Sequence, residues 1–314
     1  MKIVLLDALT SGDCDLSIFE QFGELTVFQT TDAQQTSSRL AGYDIAITNK
    51  VVINKQHMHD NPQLKLICIS ATGTNNVDLF AAEKAGILVK NVSGYSTESV
   101  SQSTFSLLFQ LMHQTRYYDH YVTQKKWCNS AVFTHIDRPF FELKGKRWGI
   151  IGLGEIGRRV AELASAFGCE LCYYSTSGKN TQQAIPQVTL EQLLAQCDVI
   201  SIHAPLNAQT DNLIAAAELN KMKPGAILLN LGRGGIVDEA AMADALETKD
   251  IYHGTDVLAV EPMLPEHPYL SLNANARDRL VVTPHTAWAS VEARQSLIEK
   301  VADNIRTFIA ANDG

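Results

Sequence analysis

The stretch Arg147-Trp-Gly-Ile-Ile-Gly-Leu-Gly-Glu-Ile-Gly157 constrains the fold of this chain more than any other. Residues 148–151 form a short apolar run that reads as a buried strand. Gly152, Gly154 and Gly157 then stand in G-x-G-x-x-G spacing, and residues 158–167 carry helical periodicity that stops at Gly168. Strand, glycine turn and helix in this order give the motif its structural context. The first glycine permits the tight turn, the second lets a pyrophosphate approach the backbone, and the third lets the helix pack closely on the strand. Unpaired N–H groups and the positive dipole end of the helix suit an anion there. The stretch therefore predicts a dinucleotide-binding α/β unit.

The remaining chain supports that unit. Its 314 residues suffice for two domains with sizeable cores. Short apolar or β-branched runs at 3–7, 25–28, 45–48 and 66–70 alternate with plausible helices such as 34–41 and 77–85, and a further strand is expected at 87–89. Such alternation predicts parallel sheets. A helix is expected from Ser96 to about His113, with Ser96 and Ser99 as hydroxyl caps. Residues 116–142 read as an irregular, aromatic-rich excursion, open to two readings: a dimer contact or an intramolecular lid. Beyond the glycine turn, strands are expected at 169–174, 199–203, 226–230, 254–258 and 280–283, with helices at 189–196, 215–221, 238–247 and 290–309.

Composition removes several classes. Lys plus Arg is 26 against 34 Asp plus Glu, a net charge of −8, and no basic cluster tracks a phosphate backbone. Nucleic-acid binding is not expected. No apolar run reaches bilayer length, residues 1–7 read as a strand rather than a signal peptide, and a cytoplasmic location with free thiols at all six cysteines follows. Cys169-Glu-Leu-Cys172 has C-x-x-C spacing, but a redox pair normally opens a helix. This one starts a strand, where positions three apart face opposite ways. Two packed thiols are expected. No metal site is expected.

Three polar residues follow three successive strand ends: Arg233, Glu261 and His285. Parallel topology brings them to the sheet edge that carries the glycine turn. A 2-oxo acid needs a cation for its carboxylate, and Arg offers a planar bidentate fork. Reduction of its carbonyl needs a proton donor near neutral pH, for which His is suited. A carboxylate beside the imidazole would orient it and stabilise its charged form. Two further loops, Thr48-Asn49-Lys50 and Ala71–Asp78, also follow strand ends. Thr72 and Gly73 could present backbone N–H groups to a small carboxylate, though on spacing alone ordinary turn and capping chemistry is the commoner explanation of such loops.

At these residues the chain resembles the D-isomer-specific 2-hydroxyacid dehydrogenase family. The matching segments are Ile150-Ile-Gly-Leu-Gly-Glu-Ile-Gly157, Leu229-Asn-Leu-Gly-Arg-Gly-Gly-Ile-Val-Asp-Glu239, Asp256-Val-Leu-Ala-Val-Glu-Pro262 and Thr283-Pro-His-Thr-Ala-Trp288. Tyr95-Ser-Thr-Glu-Ser-Val100 and His285-Thr-Ala-Trp288 look most like the glycerate dehydrogenase/hydroxypyruvate reductase group. The resemblance implies a Rossmann-type NAD(P)-binding domain, residues 99–290, inserted in a flavodoxin-like substrate domain built from 1–98 and 291–314. Helices near 99–113 and 290–309 would serve as hinges between them.

It also implies roles. Arg233 holds the substrate carboxylate and carbonyl, His285 is the acid/base, and Glu261 pairs with His285. Asn49, Lys50, Thr72 and Gly73 complete the substrate site. Cofactor contacts fall to Thr104, Gly152, Gly154, Glu155, Ile156, Gly157, Ser175, His203, Ala204, Pro205, Thr210, Leu231, Gly232 and Asp256. The expected cofactor is NAD or NADP, the substrate a small 2-oxo or 2-hydroxy acid, and the assembly a homodimer formed through the cofactor domain. One residue departs from the pattern: Ser175 stands where such units carry an acid that holds the ribose hydroxyls and repels a 2′-phosphate. A nucleotide-sensing, corepressor-like binding protein is the competing reading. A phosphorylated substrate would need further basic residues, for which Lys50 is the candidate.

Overall fold

The computed structural model describes residues 1–180 and 183–312; the last two residues of the expected 291–314 segment lie outside the described residues. The chain divides into two compact units, Met1–Ser96 with the chain from Ala289 onward, and Thr97–Trp288.

The first unit is built on five parallel strands, β1 (Lys2–Leu5), β2 (Glu24–Val27), β3 (Ile45–Thr48), β4 (Leu66–Ile69) and β5 (Leu88–Lys90). Their order, β2-β1-β3-β4-β5, is the flavodoxin-like one. β3 and β4 are buried along their whole length, as the inner strands of a sheet covered on both faces must be. The helix Val291–Asn312 packs on β4. It buries Leu297, Ile298, Val301, Ala302, Ile305 and Phe308, a stripe at helical spacing.

The second unit carries β6 (Arg147–Ile151), β7 (Glu170–Tyr174), β8 (Val199–Ile202), β9 (Ala226–Asn230), β10 (Ile251–Thr255) and β11 (Leu280–Val282), all parallel, in the order β11-β10-β9-β8-β6-β7. Outside β7 a single parallel bridge joins Tyr173 to Gln187. It stands where the third strand of the Rossmann order 3-2-1-4-5-6 belongs, so the Rossmann topology holds with that strand reduced to one bridge. The helix Thr97–Met112 packs on β9, β10 and the helix Glu155–Ala166. Trp148 is fully buried between them, its ring 5.0 Å from that of Phe105 and its Nε1 donating to Ser201 Oγ at 2.9 Å.

Three expectations are corrected. The strand placed at 254–258 runs instead from Ile251 to Thr255, pairing with β9 from Ile251–Ala226 to Thr255–Asn230. Val257 and Leu258 are buried, so their apolarity reflects packing after the strand rather than the strand itself. The 116–142 excursion is not irregular throughout, since Thr115–Thr123 is an α-helix. Ser99 is the third residue of the helix Thr97–Met112, and its hydroxyl donates to Ala287 O at 2.6 Å. All six cysteines are free thiols. Cys169 and Cys172 part as the strand geometry requires: Cys169 donates to Leu143 O, while the buried Cys172 Sγ lies 3.5 Å from Cys197 Sγ.

Candidate active site

The glycine turn joins β6 to the helix Glu155–Ala166. Gly152 has φ 89°, and a Cβ there would lie 2.8 Å from Ala204 N; a Cβ on Gly157 would lie 2.3 Å from Gly152 O. Both are therefore glycine for reasons internal to the fold. Gly154 differs. It caps the helix in an extended conformation, is exposed, and a Cβ there would meet nothing within 4 Å. Room kept clear at a helix N-terminus fits an approaching pyrophosphate. Glu155 and Pro205 are exposed, Ile156 is half-buried, and Leu231 and Ala204 are buried. Gly232 abuts the same loop, since a Cβ there would lie 2.8 Å from Ala204 O.

His203, at the end of β8, adds a second mark of a ligand site. Both of its ring nitrogens are buried without a hydrogen-bond partner, and burial pulls its pKa down to about 3. Buried polar groups are nearly always paired, so an unsatisfied imidazole next to the glycine turn fits a site made for a polar ligand. The other assigned cofactor residues are more inward than expected. Thr104 is buried and donates to Val100 O in its own helix at 2.8 Å. Thr210 is buried and donates to Pro205 O at 2.7 Å, closing its own loop. Ser175 is also inward: its Oγ is buried and has no partner, whereas Ser177 and Lys179 are exposed. The hydroxyl expected at the ribose position is thus buried and, like the His203 ring, without a hydrogen-bond partner.

The polar trio follows β9, β10 and β11 on one sheet edge. His285 Nδ1 lies 2.7 Å from Glu261 Oε2. Facing a carboxylate, Nδ1 carries the hydrogen, which leaves Nε2 as the atom that gains or loses a proton. Glu261 is fixed in turn by Leu258 N–H, which donates to Oε1 at 2.9 Å. His285 has φ 54°, a left-handed conformation that costs roughly 1–3 kcal/mol for such a residue. Its N–H donates to Asp256 O at 2.9 Å and Thr283 O at 3.0 Å, which holds it there. Arg233 is half-buried, and its Nη1 donates to Gly232 O at 2.8 Å.

Two buried residues brace this edge, one of which, Asn230, escapes a reading of the sequence. Buried Asn230 clamps the Arg233 turn from both sides, with Nδ2 donating to Arg233 O (3.0 Å) and Oδ1 accepting from Gly232 N (3.1 Å). Asp256, assigned to the cofactor, has its carboxylate inside the protein. It accepts from Thr283 Oγ1 (2.6 Å), Thr286 N (2.9 Å) and Ala287 N (2.9 Å), so it braces the loop that carries His285. Burial raises its pKa above the ordinary carboxylate range, against the pull of those hydrogen bonds and of His285.

In the first unit, Asp7 follows β1 and organises the Asn49–Lys50 loop. Its carboxylate accepts from the N–H groups of Asn49 (2.9 Å), Lys50 (2.7 Å) and Val51 (3.3 Å). Asn49 is buried, Lys50 and Thr72 are exposed, and Gly73 is half-buried. Asn91 Nδ2 donates to Thr72 O at 2.6 Å and steadies that loop.

Comparison with known proteins identifies the family. Residues 105–287 match the family model described as the D-isomer specific 2-hydroxyacid dehydrogenase NAD-binding domain. A glycerate dehydrogenase of Methylorubrum extorquens is 38% identical over 98% of this chain and 96% of its own. A hydroxypyruvate reductase of Blautia hydrogenotrophica is 34% identical over 98% of this chain and 97% of its own. Among solved structures, an NADPH-dependent glyoxylate/hydroxypyruvate reductase of Sinorhizobium meliloti, in complex with NADP and malonate, is similar with a TM-score of 0.82 and 25% identity, covering 98% of this chain and 93% of its own. The chain belongs to the D-isomer-specific 2-hydroxyacid dehydrogenase family, and its cofactor is NAD or NADP.

Proposed function

We propose that the chain interconverts a small 2-oxo acid, hydroxypyruvate or glyoxylate, with its D-2-hydroxy acid or glycolate. The observation that carries this reading is the 2.7 Å contact between His285 and Glu261 on the sheet edge that also holds Arg233 and the glycine turn. The reduced nicotinamide, when bound, supplies a hydride to the carbonyl carbon. Arg233 then pairs with the substrate carboxylate and polarises the carbonyl. His285 gives its Nε2 proton to the carbonyl oxygen, and Glu261 stabilises the imidazolium beforehand and keeps it aimed. In the reverse direction His285 takes the proton back. Free thiols at all six cysteines fit a cytoplasmic location.

A panel of 2-oxo acids (glyoxylate, hydroxypyruvate, pyruvate and longer chains), each assayed with NADH and NADPH, tests the proposal. Hydroxypyruvate and glyoxylate are expected to give the highest kcat/KM. Saturable coenzyme binding with no turnover of any 2-oxo acid would instead mark a nucleotide-binding protein.

The same panel reads coenzyme choice. No acid stands at position 175 to repel a 2′-phosphate, and Lys179 is an exposed cation in the same loop. Both coenzymes are therefore expected to be used. Rejection of NADPH by about 10³-fold, roughly 4 kcal/mol, would show that another group supplies the barrier. Ser175→Asp is a poor probe, because it would bury a carboxylate. Lys179→Glu acts on the exposed side and is expected to lower kcat/KM for NADPH more than for NADH.

The proposal includes a homodimer formed through the second unit. After the helix Thr115–Thr123 the chain leaves Val132, Phe133, Ile136 and Phe140 exposed, Phe133 by 88%. Tyr117 Oη lies 2.8 Å from His135 Nε2, and Trp127 Nε1 donates to Phe133 O, so the segment is tied to itself. An exposed apolar patch of this kind suits a second copy of the same surface. Sedimentation is expected to show dimers, and the double substitution Phe133→Asp, Ile136→Asp to yield folded monomers. A monomeric wild type would assign the segment to an intramolecular role.

A further inference from the structure

We propose that Glu239 and His267 are positioning residues for the acid–base pair, acting through the Leu258–Ala259 peptide. The inference rests on the catalytic reading of His285 and Glu261 above. Glu239 opens the helix Glu239–Thr248, and His267 lies in the loop before Tyr269. Their side chains are 16% and 6% exposed, and His267 Nε2 lies 2.9 Å from Glu239 Oε2. His267 Nδ1 accepts from Tyr269 N at 3.2 Å, so the ring hydrogen sits on Nε2 and is given to Glu239. The other carboxylate oxygen, Oε1, accepts from Ala259 N at 2.6 Å.

That last bond places the pair next to the site. The neighbouring amide, Leu258 N–H, donates to Glu261 Oε1, and Glu261 Oε2 meets His285. Two successive backbone amides are thus held by two carboxylates, one of them the acid–base partner and the other its support. The Leu258–Ala259 peptide is also pressed against the turn behind Arg233. A Cβ on Gly234 would lie 1.9 Å from Leu258 C and O, and 2.3 Å from Ala259 N. The Leu258–Ala259 peptide, fixed by Glu239, thus touches the Arg233 turn, and the peptide before it carries the N–H that holds Glu261. Catalytic geometry tolerates little displacement, so loosening that peptide should be felt in turnover.

The pair itself is a weak argument for stability, because burying the Glu239 carboxylate costs desolvation that its hydrogen bonds only offset. Its carboxylate bond to Ala259 N–H, by contrast, is a charge-assisted bond with defined direction. Glu239→Ala removes both arms. Glu239→Gln keeps an oxygen for Ala259 N–H while turning an N–H₂ toward the His267 N–H, so it separates support of the peptide from pairing with His267.

The test is a double-mutant cycle in the full-length enzyme, with kcat, KM for hydroxypyruvate and NADH affinity measured by nicotinamide fluorescence. Glu239→Ala is expected to lower kcat by roughly 10- to 100-fold with NADH affinity within about twofold of wild type, and Glu239→Gln to recover part of that loss. In the Glu261→Ala background, adding Glu239→Ala is expected to cost less than about threefold more, because residues acting through one another are not additive. Losses that multiply, or a folded Glu239→Ala enzyme with near-wild-type kcat, overturn the proposal. If the alanine variant does not fold, Glu239→Gln is carried through the same cycle with the same criterion. An unchanged kcat in Glu261→Ala alone would overturn the catalytic reading instead, so the two failures are told apart.

Discussion

Replacing His285 with alanine is expected to lower kcat by at least about 10²-fold, with coenzyme affinity close to wild type. Nε2 is the one atom of the Glu261–His285 pair free to exchange a proton, since Nδ1 is committed to the carboxylate at 2.7 Å. Alanine removes that donor and leaves Glu261 with its Leu258 N–H bond. The backbone introduces a complication: at φ 54° an alanine is strained, so a drop in stability would accompany the drop in rate. His285→Asn serves as the control, because asparagine tolerates left-handed backbone better than most residues. Both variants should show the same loss of turnover, although only the alanine should melt appreciably earlier. Near-wild-type kcat in either would remove His285 from the chemistry.

Arg233→Lys is expected to lower kcat/KM by at least about 10²-fold, the loss falling largely on KM with a share in kcat. The guanidinium presents a rigid fork to a carboxylate, and an ammonium is a point charge on a flexible stem. Asn230 fixes the backbone at both Gly232 and Arg233, so the side chain leaves from a set position, and a lysine starting there cannot recover the fork by moving its Cα. Steady-state kinetics with hydroxypyruvate decide the matter; a lysine variant within a fewfold of wild type on both constants would mean that charge alone suffices.

Much of this arrangement is legible in the residues. Glycine spacing announces the β6 turn because two of the three glycines have no room for a side chain, and steric need leaves a clear mark in sequence. Arg233, Glu261 and His285 are legible because parallel strands deliver their ends to one edge. What escapes has a common cause. Asp7 and Asn230 work by accepting or donating at backbone groups, and a backbone amide has the same chemistry in every residue. Nothing in Asn49-Lys50-Val51 points to a carboxylate more than 40 positions earlier. The burial of Ser175 Oγ is invisible for a related reason: sequence specifies a hydroxyl but not its rotamer. β10 was displaced because Val257 and Leu258 are apolar for packing beyond the ladder, and an apolar run does not say which of its members bear hydrogen bonds.

The close approach of Cys172 and Cys197 has a practical consequence. Both thiols are fully buried, one on β7 and the other directly after the helix Leu190–Gln196, whereas Cys128 is exposed. An alkylating reagent will label Cys128 at once and can reach the buried thiols only when this part of the nucleotide-binding sheet opens. Their labelling rate then clocks that opening, with Cys128 as the internal reference for reagent reactivity. Because a ligand that binds only the closed form makes opening rarer in proportion to its occupancy, slowing of the Cys172 and Cys197 signals by added nucleotide would give coenzyme affinity by mass spectrometry alone, even in variants too inactive to assay.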